Sequence, residues 1–510
     1  MMTQEQKDKN IEIAKTAKSG VIQAYNNDVK IVWDSTANVT QFGLMAYFIE
    51  FLKSNQLFDC WVRNCPIKYT SNNSPKVRDV LGTLMMSLLA GHNRYAHITS
   101  IRSDRVNPEL LGMSQVVSED SVRRGLSKIG EVEGGKWLMG HLERCYESLL
   151  TEPWILDIDA TVKPLYGKQE GAVVGYNPQK PGRPSHVYHT YIIGTLRLIM
   201  DAEVHAGNES SSLHGQPGLL RLLDSLDVKH RPYLVRGDCG YGNEKMMLEL
   251  EKRGLNYLFK LKQSKNVKRL ISQASFSKEE WRDAGQGWEG LWSSVRLDGW
   301  TNERRVMILR RSVKEEVAVV DCQKKQASQL PLFERGPGAK YEYAVLVTSL
   351  DDEIITVAQL YRDRADIENV FDEMKNQWGW GGFTTQELAK CRLMARISAL
   401  VFNWWSLFSG LVFPDEHAEA ITSRPMLLYG VGRQTRHAGQ DTVSVTSSHG
   451  KSDKIEKALK KASNFLLKIK ATAEHLIPSE RWKLVLSRIF FRFLRGRILG
   501  PPKLVDFYPA

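Results

Sequence analysis

The sequence is poor in cysteine: six in 510 residues, with no CxxC pair and no Cys/His pair at zinc spacing. That excludes a disulfide framework, gives no support to a structural zinc site, and fits a reducing, cytosolic setting. Internal repeats and long low-complexity tracts are missing too, which excludes solenoids and disordered arrays. The first ten residues, MMTQEQKDKN, hold no apolar run, so no secretory signal is expected. Long hydrophobic runs are also missing. The most membrane-like stretch, Ile397 to Phe413, is uncharged but contains Asn403 and three serines, and it reads as a buried core helix.

Acidic residues are outnumbered. There are 58 Asp and Glu against 70 Lys and Arg, a net charge of +12. Such an excess favours a polyanionic partner. Between Lys451 and Ala510 alone, fourteen basic residues face five acidic ones. That tail is either a phosphate-binding surface or a solvated helical face. The rest of the composition, 42% apolar and 25% charged, is that of a folded protein, and the chain is too long for one core.

The pattern along the chain has several parts. As far as residue 152 it is mostly helical, with Met45 to Ser54 and Lys76 to Gly91 showing apolar residues at helical spacing. Val116 to Gly130 reads as a capped helix carrying Arg123, Arg124 and Lys128, either a recognition helix or an ordinary surface helix. From Pro153 to Lys262 the order is strand (WILDIDATV), a Pro/Gly-rich loop, one or two strands, helix, strand (PYLVRGD), helix and strand. This describes a mixed α/β sheet covered by helices. Residues 263–350 read as β-rich, with strands in RRVMILRRSV, VAVVDC and YEYAVLVTSL. Trp281, Trp288, Trp292 and Trp300 belong to that segment, as packing residues or as a stacking platform. A long helix is expected from about Val357 to Gln377. The basic stretch EKALKKASNFLLKIKATAEHL is expected to be an amphipathic helix.

Three acidic motifs stand out. In LDIDAT, Asp157 and Asp159 lie two residues apart and point to the same side of a strand. In VRGDCG, Asp238 ends an apolar run, the position where sheet enzymes place ligands. In YRDRADIENVFDEMK, Tyr361, Arg364, Glu368 and Lys375 fall on one helical face, within about 60° of each other. Each signal has a plain reading, as turn caps or as an ion-paired helix. Together, two strand-end carboxylates and one helix carboxylate can converge on hard cations. The histidines His186, His189 and His205 read as structural.

The order Asp159, Asp238, Glu368, with that Tyr-Arg-Glu-Lys spacing, resembles the DDE transposases of bacterial insertion sequences, and among them the group named for the signature. The resemblance runs from about Lys76 to Ser409, and about 130 residues separate Asp238 from Glu368. It implies a ribonuclease-H-like core at 153–262 and 351–415, a β-rich insertion at 263–350, a helical DNA-binding region at 1–152, and a basic DNA-binding and dimerisation region at 416–510. It implies catalysis by Asp159, Asp238 and Glu368 holding two Mg²⁺ or Mn²⁺ ions, with Asp157 the weaker candidate, and backbone contacts from Tyr361, Arg364 and Lys375. It further implies a homodimer on double-stranded DNA performing cut-and-paste transposition through a hairpin. Some relatives have a tryptophan after the signature arginine; here the residue is Ala365. Two rivals use the same residues: a metal-dependent nuclease, and a catalytically silent DNA-binding descendant.

Overall fold

The structure, a computed structural model, describes residues 20–276, 280–313, 333–335, 339–414, 417–472 and 476–499. The VAVVDC segment lies outside the described residues. The helical first part includes α1 (Met45–Ser54), α2 (Val77–Leu89), α3 (Glu119–Ser127) and α4 (Glu131–Glu143). Helix α3 is capped as its sequence suggests: the Ser118 side chain accepts a hydrogen bond from the Ser121 amide. Val122 and Leu126 are buried, while Arg123, Arg124 and Lys128 remain exposed.

The centre of the molecule is a mixed sheet. Strand β1 (Ile155–Pro164) is followed by the hairpin of β2 (Pro184–Ile193) and β3 (Leu198–Ala206), then helix α5 (Ser211–Ser225), strand β4 (Leu234–Gly237), helix α6 (Glu244–Lys252) and strand β5 (Asn256–Lys260). The spatial order is β3-β2-β1-β4-β5. The first three strands are antiparallel, and β4 and β5 run parallel to β1. This is the ribonuclease-H-like arrangement. Strand β2 is buried along nearly its whole length, as a strand covered on both faces must be.

The β-rich segment continues this sheet. It follows helix α7 (Lys265–Phe276) and consists of β6 (Arg282–Gly285), β7 (Trp288–Val295), β8 (Arg304–Val313) and β9 (Ala339–Thr348). Strand β9 pairs antiparallel with β5, so eleven strands share one sheet among the described residues. Each tryptophan of the segment has an arginine over its ring: Arg310 on Trp281 at 4.0 Å, Arg311 on Trp288 at 4.8 Å, Arg305 on Trp292 at 3.7 Å and Arg304 on Trp300 at 5.3 Å. Trp300 is buried and the other three partly so, which supports the packing role.

The long helix expected over Val357 to Gln377 is broken. Helix α8 (Ile354–Arg362) and helix α9 (Asp366–Gln377) are joined by a 3₁₀ turn at Asp363–Ala365. The turn aims Arg364 into the protein, where it is buried. Helix α10 (Leu388–Val412) is the apolar helix read from the sequence, and it packs on β3: Asn403 bonds both the amide and the carbonyl of Ile199.

The described residues nearest the two ends join the same body. Strands β10 (Val431–His437) and β11 (Gln440–Thr446) form a hairpin, and β10 also pairs with Val39–Thr40. The turn residues Ala438 and Gly439 have φ of 48° and 80°, as a tight hairpin demands. Helix α11 (Ser452–Thr472) buries Ile455, Leu459, Ala462, Leu466 and Ile469 against α1 and α10, with its lysines outside. The spacing is that of an amphipathic helix. Helix α12 (Pro478–Ile489) packs on α10 as well. No described helix is long and apolar enough to cross a membrane.

Candidate active site

Parallel pairing of β1 with β4 sets the first part of the site. Asp157 is level with Arg236 and Ile158 with Gly237, so Asp159, midway along β1, and Asp238, just past the end of β4, stand side by side. Neighbouring strands lie about 4.8 Å apart. Asp238 is held by the turn that follows β4, its Oδ1 accepting from the Gly240 amide at 2.8 Å. Asp159 Oδ1 accepts from the amide of Ala160 at 2.7 Å.

The helix pair supplies the other part. Arg364 Nη1 donates to Asp159 Oδ2 at 3.0 Å, and its Nη2 lies 3.6 Å from Glu368 Oε1. The arginine therefore stands between the strand aspartate and the helix glutamate. Its Cζ is 5.5 Å from the centre of the Tyr361 ring, and its buried Nε has no partner. Glu368 is 68% exposed, whereas Asp159 is only 14% exposed, so the glutamate side chain is not fixed by packing.

Burial, and next the charge of Asp238, push the Asp159 carboxyl up to about 7. Arg364 acts in the opposite direction on Asp159. Burial opposes the charge of Arg364, but Tyr361, Asp159, Asp238 and Glu368 together outweigh it, so its pKa lies above the ordinary value. Burial pushes the Tyr361 hydroxyl up to about 12 and lowers the Lys375 ammonium, which Asp372 and Asp159 partly restore. Tyr361, Arg364, Lys375, Asp159 and Asp238 thus belong to one electrostatic cluster, with Glu368 at its rim.

Asp157 is elsewhere in chemical terms. Arg236 Nε donates to its Oδ1 at 2.6 Å and Nη2 to its Oδ2 at 2.7 Å, both side chains being buried. Arg236 Nη1 also donates to the Leu360 carbonyl near the end of α8. This pair ties β1, β4 and α8 together beneath the site. The sequence reading missed it, although an arginine inside the apolar run LVRGD was the available signal. It also missed Lys163, a buried residue four positions after Asp159 on the same face of β1. Lys163 donates to the Gly382 carbonyl in the turn after α9. A third missed contact is Arg197 on Asp366, at 2.7 Å, which fixes the start of α9.

The histidines are structural. His186 and His189 meet the carbonyls of Glu170 and Glu209 at 2.8 Å and 3.1 Å. His205 lies between Glu209 at 2.8 Å and Glu203 at 3.5 Å.

Among the described residues, no three His, Cys, Asp or Glu side chains stand close enough together to hold a metal ion. The donor chemistry nevertheless suits a hard cation. The two strand aspartates offer only oxygen, and the neighbouring charge that raises the pKa of Asp159 is a penalty that a divalent ion would lift.

A fold of this topology, with two acids on adjacent parallel strands under a cationic helix junction, is of the ribonuclease-H-like class. Residues 150–404, half of the chain, match the family "Transposase DDE domain", and the chain belongs to that family. No curated protein matches it. Among solved structures it is similar to a piggyBac transposase synaptic complex with hairpin DNA, determined by cryo-electron microscopy. That alignment has 11% identity, covers 97% of this chain and 88% of that one, and has a TM-score of 0.35, too low to argue from.

Proposed function

We propose that the chain is a transposase of the bacterial insertion-sequence type with the Tyr-Arg-Glu-Lys signature, cutting element ends and joining them to target DNA. The observation that carries the reading is the placing of Asp159 and Asp238 side by side where the parallel β1–β4 ladder ends, under an arginine and a glutamate from one helix junction. Family membership supports the reaction class.

In this reading Asp159, Asp238 and Glu368 hold two Mg²⁺ or Mn²⁺ ions. Such ions stabilise the attacking and leaving oxygens of an in-line phosphoryl displacement. The chain's own residues do the remaining work. Arg364 and Lys375 neutralise the phosphates beside the scissile bond, and Tyr361 walls the pocket next to Arg364. Cations held by the acids would take over the charge pairing that Arg364 now gives Asp159, leaving the guanidinium for a phosphate. Water opens one strand at each element end. The freed 3′ hydroxyl attacks the opposite strand to give a hairpin, the hairpin is reopened, and the same hydroxyl attacks target DNA. Two ends require two protomers, so a homodimer on double-stranded DNA is part of the proposal. The helical region as far as 152 and the basic region from 416 would hold that DNA.

The test is cleavage and strand transfer with the element's own end sequence and Mg²⁺ or Mn²⁺. Asp159→Ala, Asp238→Ala and Glu368→Ala should each abolish both reactions and leave end binding nearly intact, because these ligands act on the transition state. A variant that cuts at a near-normal rate would remove its residue from the site. Cleavage of pre-cut ends without joining would favour the nuclease. Binding without any chemistry would favour the silent descendant.

A further inference from the structure

A second cleft opens at the end of β1, beside the turn that follows α9. It holds about 420 Å³ and lies between the helical region and the core, lined by Arg94, Tyr95, Arg123, Tyr166, Gln169 and the Gly381–Gly382 turn, among others. None of its lining residues is acidic. Arg94 and Arg123 are exposed, and among the described residues neither forms an ion pair. Arg123 is nevertheless held in place, its Cζ 5.0 Å from the centre of the buried Tyr95 ring. At the opposite rim Tyr166 is 69% exposed and brings two more cations: Arg183 Cζ lies 4.8 Å from the ring centre, and Lys180 Nζ lies 5.1 Å from it and donates to the hydroxyl. Two unpaired arginines, two rim cations and an open aromatic ring, with no carboxylate between them, match a phosphodiester backbone in charge.

The cleft is built rigidly onto the catalytic elements. Its floor is the turn after α9, where the Gly381 amide donates to the Lys375 carbonyl at 3.1 Å and the Phe383 amide to the Asn93 carbonyl at 2.7 Å. A β-carbon on Gly382 would sit 1.8 Å from the Asn93 oxygen, so only glycine allows the helical region to approach this closely. Lys163 binds the Gly382 carbonyl from β1, four residues beyond Asp159. At about 3.3 Å per residue, five residues of strand separate Asp159 from the cleft edge at Pro164 by about 16 Å. Duplex DNA rises about 3.4 Å per base pair, so that distance is about five base pairs.

We propose that this cleft is a fixed DNA-backbone contact about five base pairs from the cut, with Arg94 and Arg123 each neutralising one phosphate. The proposal rests on the transposase reading and adds a site to it. The experiment uses the full chain and a fluorescein-labelled duplex of about 30 base pairs, with affinity measured from about 50 to 200 mM salt. Each phosphate contact contributes about 0.9 to the slope of log affinity against log salt. Arg94→Gln with Arg123→Gln should therefore lower the slope by about 1.8, and the loss of affinity over that fourfold salt range should shrink about tenfold. Arg94→Lys with Arg123→Lys keeps the charge and should restore the slope, which separates charge from damage to the Tyr95 contact. Lys229→Gln with Lys252→Gln removes two exposed charges near the opposite ends of β4 and β5 and should leave the slope unchanged. An unchanged slope in the first pair, a fall shared by the Lys229 and Lys252 pair, or no recovery with lysine would each overturn the proposal while the wild type still binds DNA. A wild-type chain that binds no duplex would instead overturn the transposase reading, and this site with it.

Discussion

Breaking the Asp157–Arg236 pair should unfold the core more easily without touching the chemistry directly. The two side chains share two hydrogen bonds at 2.6 and 2.7 Å, and their exposures are 1% and 2%. Removing one partner of a buried pair leaves the other charged and unpaired, which costs about 3–5 kcal/mol. Asp157→Leu and Arg236→Met should each show that loss. On a core of roughly 250 residues it lowers the melting temperature by on the order of 10 °C. The double variant removes both charges, and apolar replacement of a whole buried pair is often close to neutral. It is not wholly neutral here, because Arg236 also bonds the Leu360 carbonyl. That lost bond costs about 1–3 kcal/mol, so the double variant should be more stable than either single one. The assay is thermal unfolding of all four proteins by circular dichroism, paired with cleavage well below the melting range. Strict additivity would refute the pairing. An Asp157→Leu protein that melts like the wild type but cannot cut would place Asp157 in the site in Asp159's stead.

Further outcomes follow from the same geometry. Arg364→Gln and Lys375→Gln should each flatten the salt dependence of end binding by about one unit and slow cleavage; an unchanged slope with normal cutting would return them to simple ion pairing. Burial opposes the charge on His205, but Glu203 and Glu209 outweigh it and raise its pKa above the ordinary 6.5. Its stabilisation should be full below pH about 6.5 and fade as pH rises through the raised value, seen as a falling melting temperature that His205→Gln flattens. Glu203 is held down to about 2, with burial opposing and His205 and Arg221 prevailing. Its contribution should persist above pH about 4.5 and fade as acid approaches that lower value. Reversing Lys454, Lys457, Lys460 and Lys461 spares the buried face of α11 and should prevent paired-end complexes on native gels, while single-end complexes survive. Normal pairing by that variant would make the face a solvated one.

What could be read from the sequence divides by the range of the interaction. The strands and helices from Trp154 to Lys262 follow from local alternation, glycine and apolar periodicity, and the structure has them in that order. The break at Asp363–Ala365 is not local in that sense. Arg364 leaves the helical path because Asp159, some 205 positions earlier, offers a carboxylate in the core. The same holds for the strand segment after Gln263. Two of its strands, β8 and β9, were legible, while β6 and β7 were read only as a tryptophan cluster, and continuity with β5 depends on register across β9 and not on composition.

The choice between Asp157 and Asp159 shows why a site is harder to read than a fold. Both acids face the same way on one strand, and alternation cannot tell them apart. Parallel register with β4 separates them: one acid comes level with Arg236 and is paired in the core, while the other lies just past the end of the β1–β4 ladder, beside Asp238. The two places differ in what they can do. A buried carboxylate with a guanidinium nitrogen on each of its oxygens is already charge-paired and shut off from a cation, whereas Asp159, pushed up to about 7 by burial and a second acid, gains most from taking one. The buried pair is therefore the platform of the site, and the strained pair beside it is the part built to bind.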